Sequence, residues 1–286
     1  MALAAVSLED KYALESGRVF LNGTQALVRL PMMQRQRDAN AGLNTGCFIS
    51  GYRGSPLGAL DQQLWQAWRF LKKNHIHFQP GVNEDLAATA IWGSQQGGLF
   101  GDSAYDGVFA MWYAKGPGVD RSGDVLKHGN SAGSAPHGGV LLLAGDDHTA
   151  KSSTLAHQCE HTFTDAMIPV LNPAGVQEFL DLGLYGWAMS RYSGCWVGFK
   201  TIAETVDSSA SVYVDPERIR IATPDDFEMP AGGLNIRWPD MPLQQEERLH
   251  RYKVYAALAF ARANRLDRVV IDSPKRRFGI VTAGKS

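Results

Sequence analysis

Apolar and polar positions along the chain follow two rhythms. Short unbroken apolar runs occur at residues 47–51, 107–112, 140–145, 168–171 and 195–200. Runs of this length, closed by glycine or a polar residue, predict strands buried on both faces. Residues 76–78 form a shorter run, and 19–24 reads as a strand and turn. Between them the apolar positions recur at helical spacing, clearest at Leu60, Leu64, Trp68 and Leu71. This predicts helices over 25–37, 57–73, 84–97 and 175–190. Strands alternating with helices imply a mainly parallel sheet in a three-layer α/β sandwich. Residues 115–139, rich in glycine, read as one long loop, and a loop of that length inside a domain is usually functional.

The pattern changes after residue 206. Residues 1–19 read as a polar, partly helical leader and 20–214 as the α/β domain. Residues 215–276 read as a connecting arm with one long amphipathic helix over 243–264, and 277–286 as the start of a truncated second α/β domain. Strands are expected at 268–271 and 278–281.

Composition narrows the classes. The chain has 286 residues, 44% of them hydrophobic, enough for a sizeable core. Its formal net charge of −1 gives no sign of a nucleic-acid partner. No apolar run is long enough for a membrane span, and Glu9 and Asp10 interrupt what would be a signal peptide. Cys47, Cys159 and Cys195 are widely spaced and form no CxxC pair, so no cluster-ligand set is visible. A reduced, cytoplasmic protein is the expectation.

The candidate chemistry centres on residues 79–88. Pro80 and Gly81 set a turn, Asn83 can cap the following helix, and Glu84 stands in its first turn. Ala87, Ala88, Ala90, Gly93 and Gly97 keep that helix thin enough for close packing. A first-turn acid can equally serve only the helix dipole.

Three short motifs compete with this centre. Residues 279–286 satisfy GxxxxGK[ST], but a phosphate loop needs a strand before it and a helix after it. His157, Glu160 and His161 fit HxxEH, in which two histidines one helical turn apart could share a zinc of a hydrolase. Gly145, Asp146 and Asp147, with the distant Asn172, offer hard oxygen ligands for Mg²⁺, though turn chemistry explains them as well. No metal site is expected in this chain.

Four loops taken in order carry more information: residues 49–58, with Arg53, Ser55 and Pro56; 82–84; 115–130, with Lys127 and His128; and 144–153, with Asp146, Asp147, Ser152 and Ser153. The series resembles the N-terminal, pyrimidine-binding domain of 2-oxoacid:ferredoxin oxidoreductases, most closely the long fused indolepyruvate type. The resemblance covers residues 17–286. It implies a thiamine diphosphate enzyme that oxidatively decarboxylates a 2-oxoacid to an acyl-CoA and passes electrons through [4Fe-4S] clusters to ferredoxin.

It also implies residue roles. Glu84 is the catalytic carboxylate that bonds the aminopyrimidine ring. Ser55, Pro56, Asn83, Asp146, Asp147, Ser152 and Ser153 lie near the cofactor, and Arg53, Ser55, Lys127 and His128 near the 2-oxoacid. Magnesium, the cofactor diphosphate and the clusters belong to parts beyond this chain, so the chain supplies half a site, inactive alone, within a homodimer. The sequence departs from the family at residues 54–56, Gly-Ser-Pro where Gly-Thr-Pro is common, and in a longer 115–130 segment. A non-catalytic assembly domain of a thiamine enzyme is the alternative.

Overall fold

The computed structural model describes residues 6–101, 103–148 and 155–286. Strands β1 (Gly17–Asn22), β2 (Thr45–Gly51), β3 (Ile76–Phe78), β4 (Gly107–Lys115), β5 (Val140–Asp146), β6 (Val170–Leu171), β7 (Val197–Ile202) and β8 (Ser209–Val214) form two sheets. The larger has six strands in the order β3-β2-β4-β5-β7-β6, every pairing parallel. The smaller pairs β1 with β8 antiparallel, with Gly17 opposite Val214.

Side-chain alternation along β4 builds both faces of the large sheet. Phe109, Met111 and Tyr113 enter one core, under the helices Gly23–Asn40, Leu60–Gln66 and Val176–Ser193. Ala110, Trp112 and Ala114 enter the other, under the helices Glu84–Ser94, Gly123–Ala132 and Glu160–Asp165. Successive strand residues point to opposite faces, so a strand covered on both sides must be apolar throughout. The expected three-layer α/β sandwich with a parallel sheet is what the chain forms.

Several elements differ from expectation. Residues 115–139 contain two helices, Gly116–Arg121 and Gly123–Ala132. Their glycines serve close packing: a Cβ at Gly129 would lie 2.3 Å from the Trp196 ring. Glycine count alone therefore misread a packed segment as a loop. The expected 57–73 helix is two helices, Leu60–Gln66 and Trp68–Lys73, meeting at Ala67. The 243–264 helix is nearly continuous, Pro242–Arg248 and Val254–Ala263 being joined by a wider π turn, Leu249–Lys253.

Residues 265–286 contain neither strand nor helix. The apolar runs at 268–271 and 278–281 have no neighbouring strand to complete a ladder, and an unpaired short strand is not stable. The GxxxxGK[ST] match thus lacks the preceding strand it requires. The leader is less detached than its polarity suggested. Tyr12 is buried, and Arg29 donates to the carbonyls of Tyr12 (2.7 Å) and Leu14 (2.6 Å).

Candidate functional site

The parallel strands open their carboxyl ends onto one rim. The segments after β2, β3, β4 and β5 all leave from there, and in open α/β sheets this is where ligands bind. Glu84 enters the rim from the segment after β3. Gly81 donates its N–H to the carbonyl of Gly51 at the end of β2 (2.8 Å). Asn83 then accepts from the Leu86 N–H (2.9 Å) and caps the helix. Trp112, buried in β4, donates Nε1–H to the Glu84 carbonyl (3.1 Å) and fixes the backbone.

Glu84 as a residue is 8% exposed, its carboxylate oxygens keep contact with solvent, and among the described residues no hydrogen bond or ion pair reaches them. Its space is provided by Gly118, where a Cβ would stand 2.6 Å from Glu84 Cγ and 2.7 Å from Oε1. A carboxylate on a largely buried stem, with its oxygens open at the rim, is an acceptor for an incoming donor. That is the property an aminopyrimidine ring nitrogen would use, so the residues present fit the group that the resemblance implies.

The neighbouring segments close around the rim. The Ser55–Pro56 bond is cis, Ser55 is half-buried and Pro56 buried. A Cβ at Gly145, on β5, would lie 3.0 Å from Pro56 Cδ, so the segment after β2 lies directly over the end of β5. Arg53 is exposed on it. Asp147 is buried at the end of β5, while Ser152 and Ser153 lie outside the described residues.

Asp146 has a structural partner set. Its carboxylate accepts the Cys159 N–H (3.1 Å) and Sγ–H (2.7 Å), and Lys200 Nζ stands 3.2 Å away. Lys200 also bonds Glu160. Burial acts to lower the Lys200 pKa, but the hydrogen bond from Lys200 to Glu160 and the charge of Asp146 outweigh it and raise the value. Burial acts to raise the Glu160 pKa, and Lys200 pulls it down. Burial, then the charge of Asp146, pushes the Cys159 thiol far up, so it is not a nucleophile. The sequence signal for this network was one lysine inside the apolar run of β7, because a buried charge needs a partner.

The HxxEH residues do not form a metal cradle. His157 precedes the helix Glu160–Asp165 and contacts Asp120 (3.2 Å) and the Leu155 carbonyl (3.1 Å). His157 therefore does not share a helical face with His161, and Glu160 is held by Lys200, so neither the paired ligands nor a free base is present. Among the described residues no group of three metal-ligating side chains converges.

Lys127 and His128 are not at the rim. Both are exposed on the helix Gly123–Ala132, where Lys127 pairs with Asp165 (2.5 Å) and His128 stacks on Trp92 at 6.0 Å between centroids. One turn on, Asn130 accepts from the Trp196 N–H just ahead of β7, so this helix runs down the flank of the sheet. Trp112, Gly118 and Lys200 are the rim residues that sequence reasoning missed.

No protein-family model matches the sequence, and neither does any curated protein. The fold is that of a parallel three-layer α/β domain with a carboxylate at its carboxyl rim. It is similar to a solved structure of 2-oxoglutarate:ferredoxin oxidoreductase from Magnetococcus marinus with 2-oxoglutarate, coenzyme A and succinyl-CoA bound. The TM-score is 0.57 at 14% identity, over 84% of this chain and 44% of that one. The likeness is one of fold, and this chain spans less than half of that protein's length. No helix among the described residues is long and apolar enough to cross a membrane.

Proposed function

We propose that this chain is the pyrimidine-binding part of a thiamine diphosphate-dependent 2-oxoacid:ferredoxin oxidoreductase. The observation that carries the reading is Glu84 at the carboxyl rim, a largely buried residue whose carboxylate oxygens stay open to an incoming donor beside the space left by Gly118. Thiamine diphosphate, when bound, would supply an acidic C–H whose deprotonated carbon is the nucleophile toward the 2-oxoacid. Glu84 would accept a hydrogen bond from the aminopyrimidine ring nitrogen and hold the ring in register. Trp112 and Asn83 keep the Glu84 backbone fixed while it does so. Ser55 and Arg53 offer donors to the substrate carboxylate from the segment after β2.

The rest of the site belongs to a facing domain, which holds Mg²⁺ and the diphosphate. The full reaction in this reading takes an indolepyruvate-type 2-oxoacid and coenzyme A, and delivers electrons through [4Fe-4S] clusters to ferredoxin. Val82 and Leu86, 82% and 55% exposed beside Glu84, suit cover by that domain or by a second copy in a homodimer. The same exposed pair favours a second reading, an assembly domain without chemistry.

Glu84→Gln in the complete enzyme separates them. The variant keeps the shape but weakens the acceptor, and turnover should fall by about 100-fold or more with assembly intact. Thiamine diphosphate titration by circular dichroism should weaken in parallel. Unchanged turnover would leave the assembly reading standing.

A further inference from the structure

On the opposite face of the sheet from Glu84 a second cavity, about 290 Å³, opens between the short helix Asp10–Ala13, the helix Gly23–Asn40 and the helix Trp68–Lys73. Tyr12, Arg29 and Arg35 line it, and each keeps one buried polar atom without a partner: the Tyr12 hydroxyl, Arg29 Nε and Arg35 Nε. Tyr12 is 7% exposed and Arg29 3%. Buried polar groups are nearly always paired, so three around one cavity require an explanation.

The rest of each guanidinium is already committed. Arg29 spends both Nη atoms on the Tyr12 and Leu14 carbonyls, and Arg35 reaches the Leu43 carbonyl (3.3 Å) and the Asn44 side chain (3.2 Å). Among the described residues no carboxylate pairs with either arginine. Lys73 adds a third cation to the lining, against the exposed Glu15 as its carboxylate. Burial lowers the Arg29 pKa to about 10, with Glu15 opposing only in part. The orphaned atoms include two that can only donate, the local charge is positive, and Met32 and Phe70 supply an apolar wall.

We propose that this cavity binds a small organic oxyanion, a carboxylate or phosphate group carried on an apolar body. The oxyanion would pair with the cationic lining of Arg29, Arg35 and Lys73, and a small adjustment of the Tyr12 and Arg35 side chains would bring the solvent-shielded Tyr12 hydroxyl and Nε–H groups to it, while the apolar body rests on Phe70. Charge-assisted bonds of this kind are the strong ones, and planar guanidinium groups suit both anion types. The site stands independently of the Glu84 reading, because it shares no residue with the rim.

Calorimetric titration of the purified chain with benzoate and with phenyl phosphate tests it, at constant ionic strength. Saturable binding of at least one probe is expected, and none of phenol, which lacks the anion. The probe that binds names the oxyanion. Tyr12→Phe removes only the orphaned hydroxyl and Arg35→Gln one charge, and each should weaken binding by about tenfold. Tyr12→Phe should leave the free chain at least as stable, since it removes an unsatisfied group. Absence of saturable binding by both probes, or binding unchanged in both variants, would overturn the proposal.

Discussion

Lys253 shows how much one side chain can set. It is fully buried in the π turn Leu249–Lys253 and donates to the carbonyls of Asn130 (3.1 Å) and Ser131 (2.8 Å) at the end of the helix Gly123–Ala132. Burial lowers its pKa to about 7 from an ordinary 10.5, Cys195 opposing and Arg248 and Arg237 adding to the fall. Above about pH 7 the folded chain therefore binds fewer protons here than the unfolded chain, so this group makes stability rise with pH. Near pH 9 the buried Cys195 thiol, raised to about 11, begins to act the other way. Between pH 7 and 9 urea unfolding should show stability climbing in the wild type and less steeply in Lys253→Met. Parallel curves would contradict the lowered pKa of Lys253. The same scale decided which site residues were legible. Glu84 was readable because Pro80, Gly81 and Asn83 announce a capped helix start. Gly118 was not, because its role depends on a carboxylate far away in sequence and near in space.

At the scale of elements, Asp38 fastens three of them. It accepts from Gln34 (2.8 Å) on its own helix, from Thr45 on β2 (2.7 Å), and from both Nη atoms of Arg191 (2.7 and 2.8 Å) on the helix Val176–Ser193. Asp38 is 3% exposed, so its charge is compensated wholly by these donors. Asp38→Ala would strand the Arg191 guanidinium and cost about 3–5 kcal/mol. For a chain of this size the melting temperature should fall on the order of 10 °C. A fall of only a degree or two, measured by calorimetry, would show the network to be replaceable. The core strands were readable because they are covered on both faces and therefore continuously apolar. The β1–β8 pair was only half readable. Val212 and Val214 are buried while Ser211 and Tyr213 face out, a clear period of two. Its partner, however, lies at the other end of the domain, and no local pattern specifies that pairing.

For the whole molecule, packing is concentrated in the sheet and its covering helices, and after Leu266, which still packs on the core, it is nearly lost through residues 267–286. Val269, Val270, Ile271, Phe278, Ile280 and Val281 are 78–100% exposed there, and no strand or helix protects their backbone. Among the described residues Arg276 pairs with Asp272 on the same segment (2.7 Å), and the contacts back to the body are few, Lys285 Nζ reaching the Glu204 carbonyl at 3.4 Å and Gly284 lying against the Asn172 side chain. Exposed backbone without a ladder opens at little cost, whereas β2, β4, β5 and β7 exchange only when the core opens. Brief trypsin treatment should therefore cut after Lys275, Arg276 or Arg277 before it reaches any lysine or arginine of the described sheet and its covering helices. The remaining chain should keep its melting temperature within about a degree or two, because the lost segment contributes almost no buried surface. It should also keep the calorimetric response to the oxyanion probes, whose cavity lies among residues 12–74. Resistance of the segment to trypsin would mean that its apolar side chains are covered in solution, and sedimentation velocity would then have to show the chain associated with a second copy.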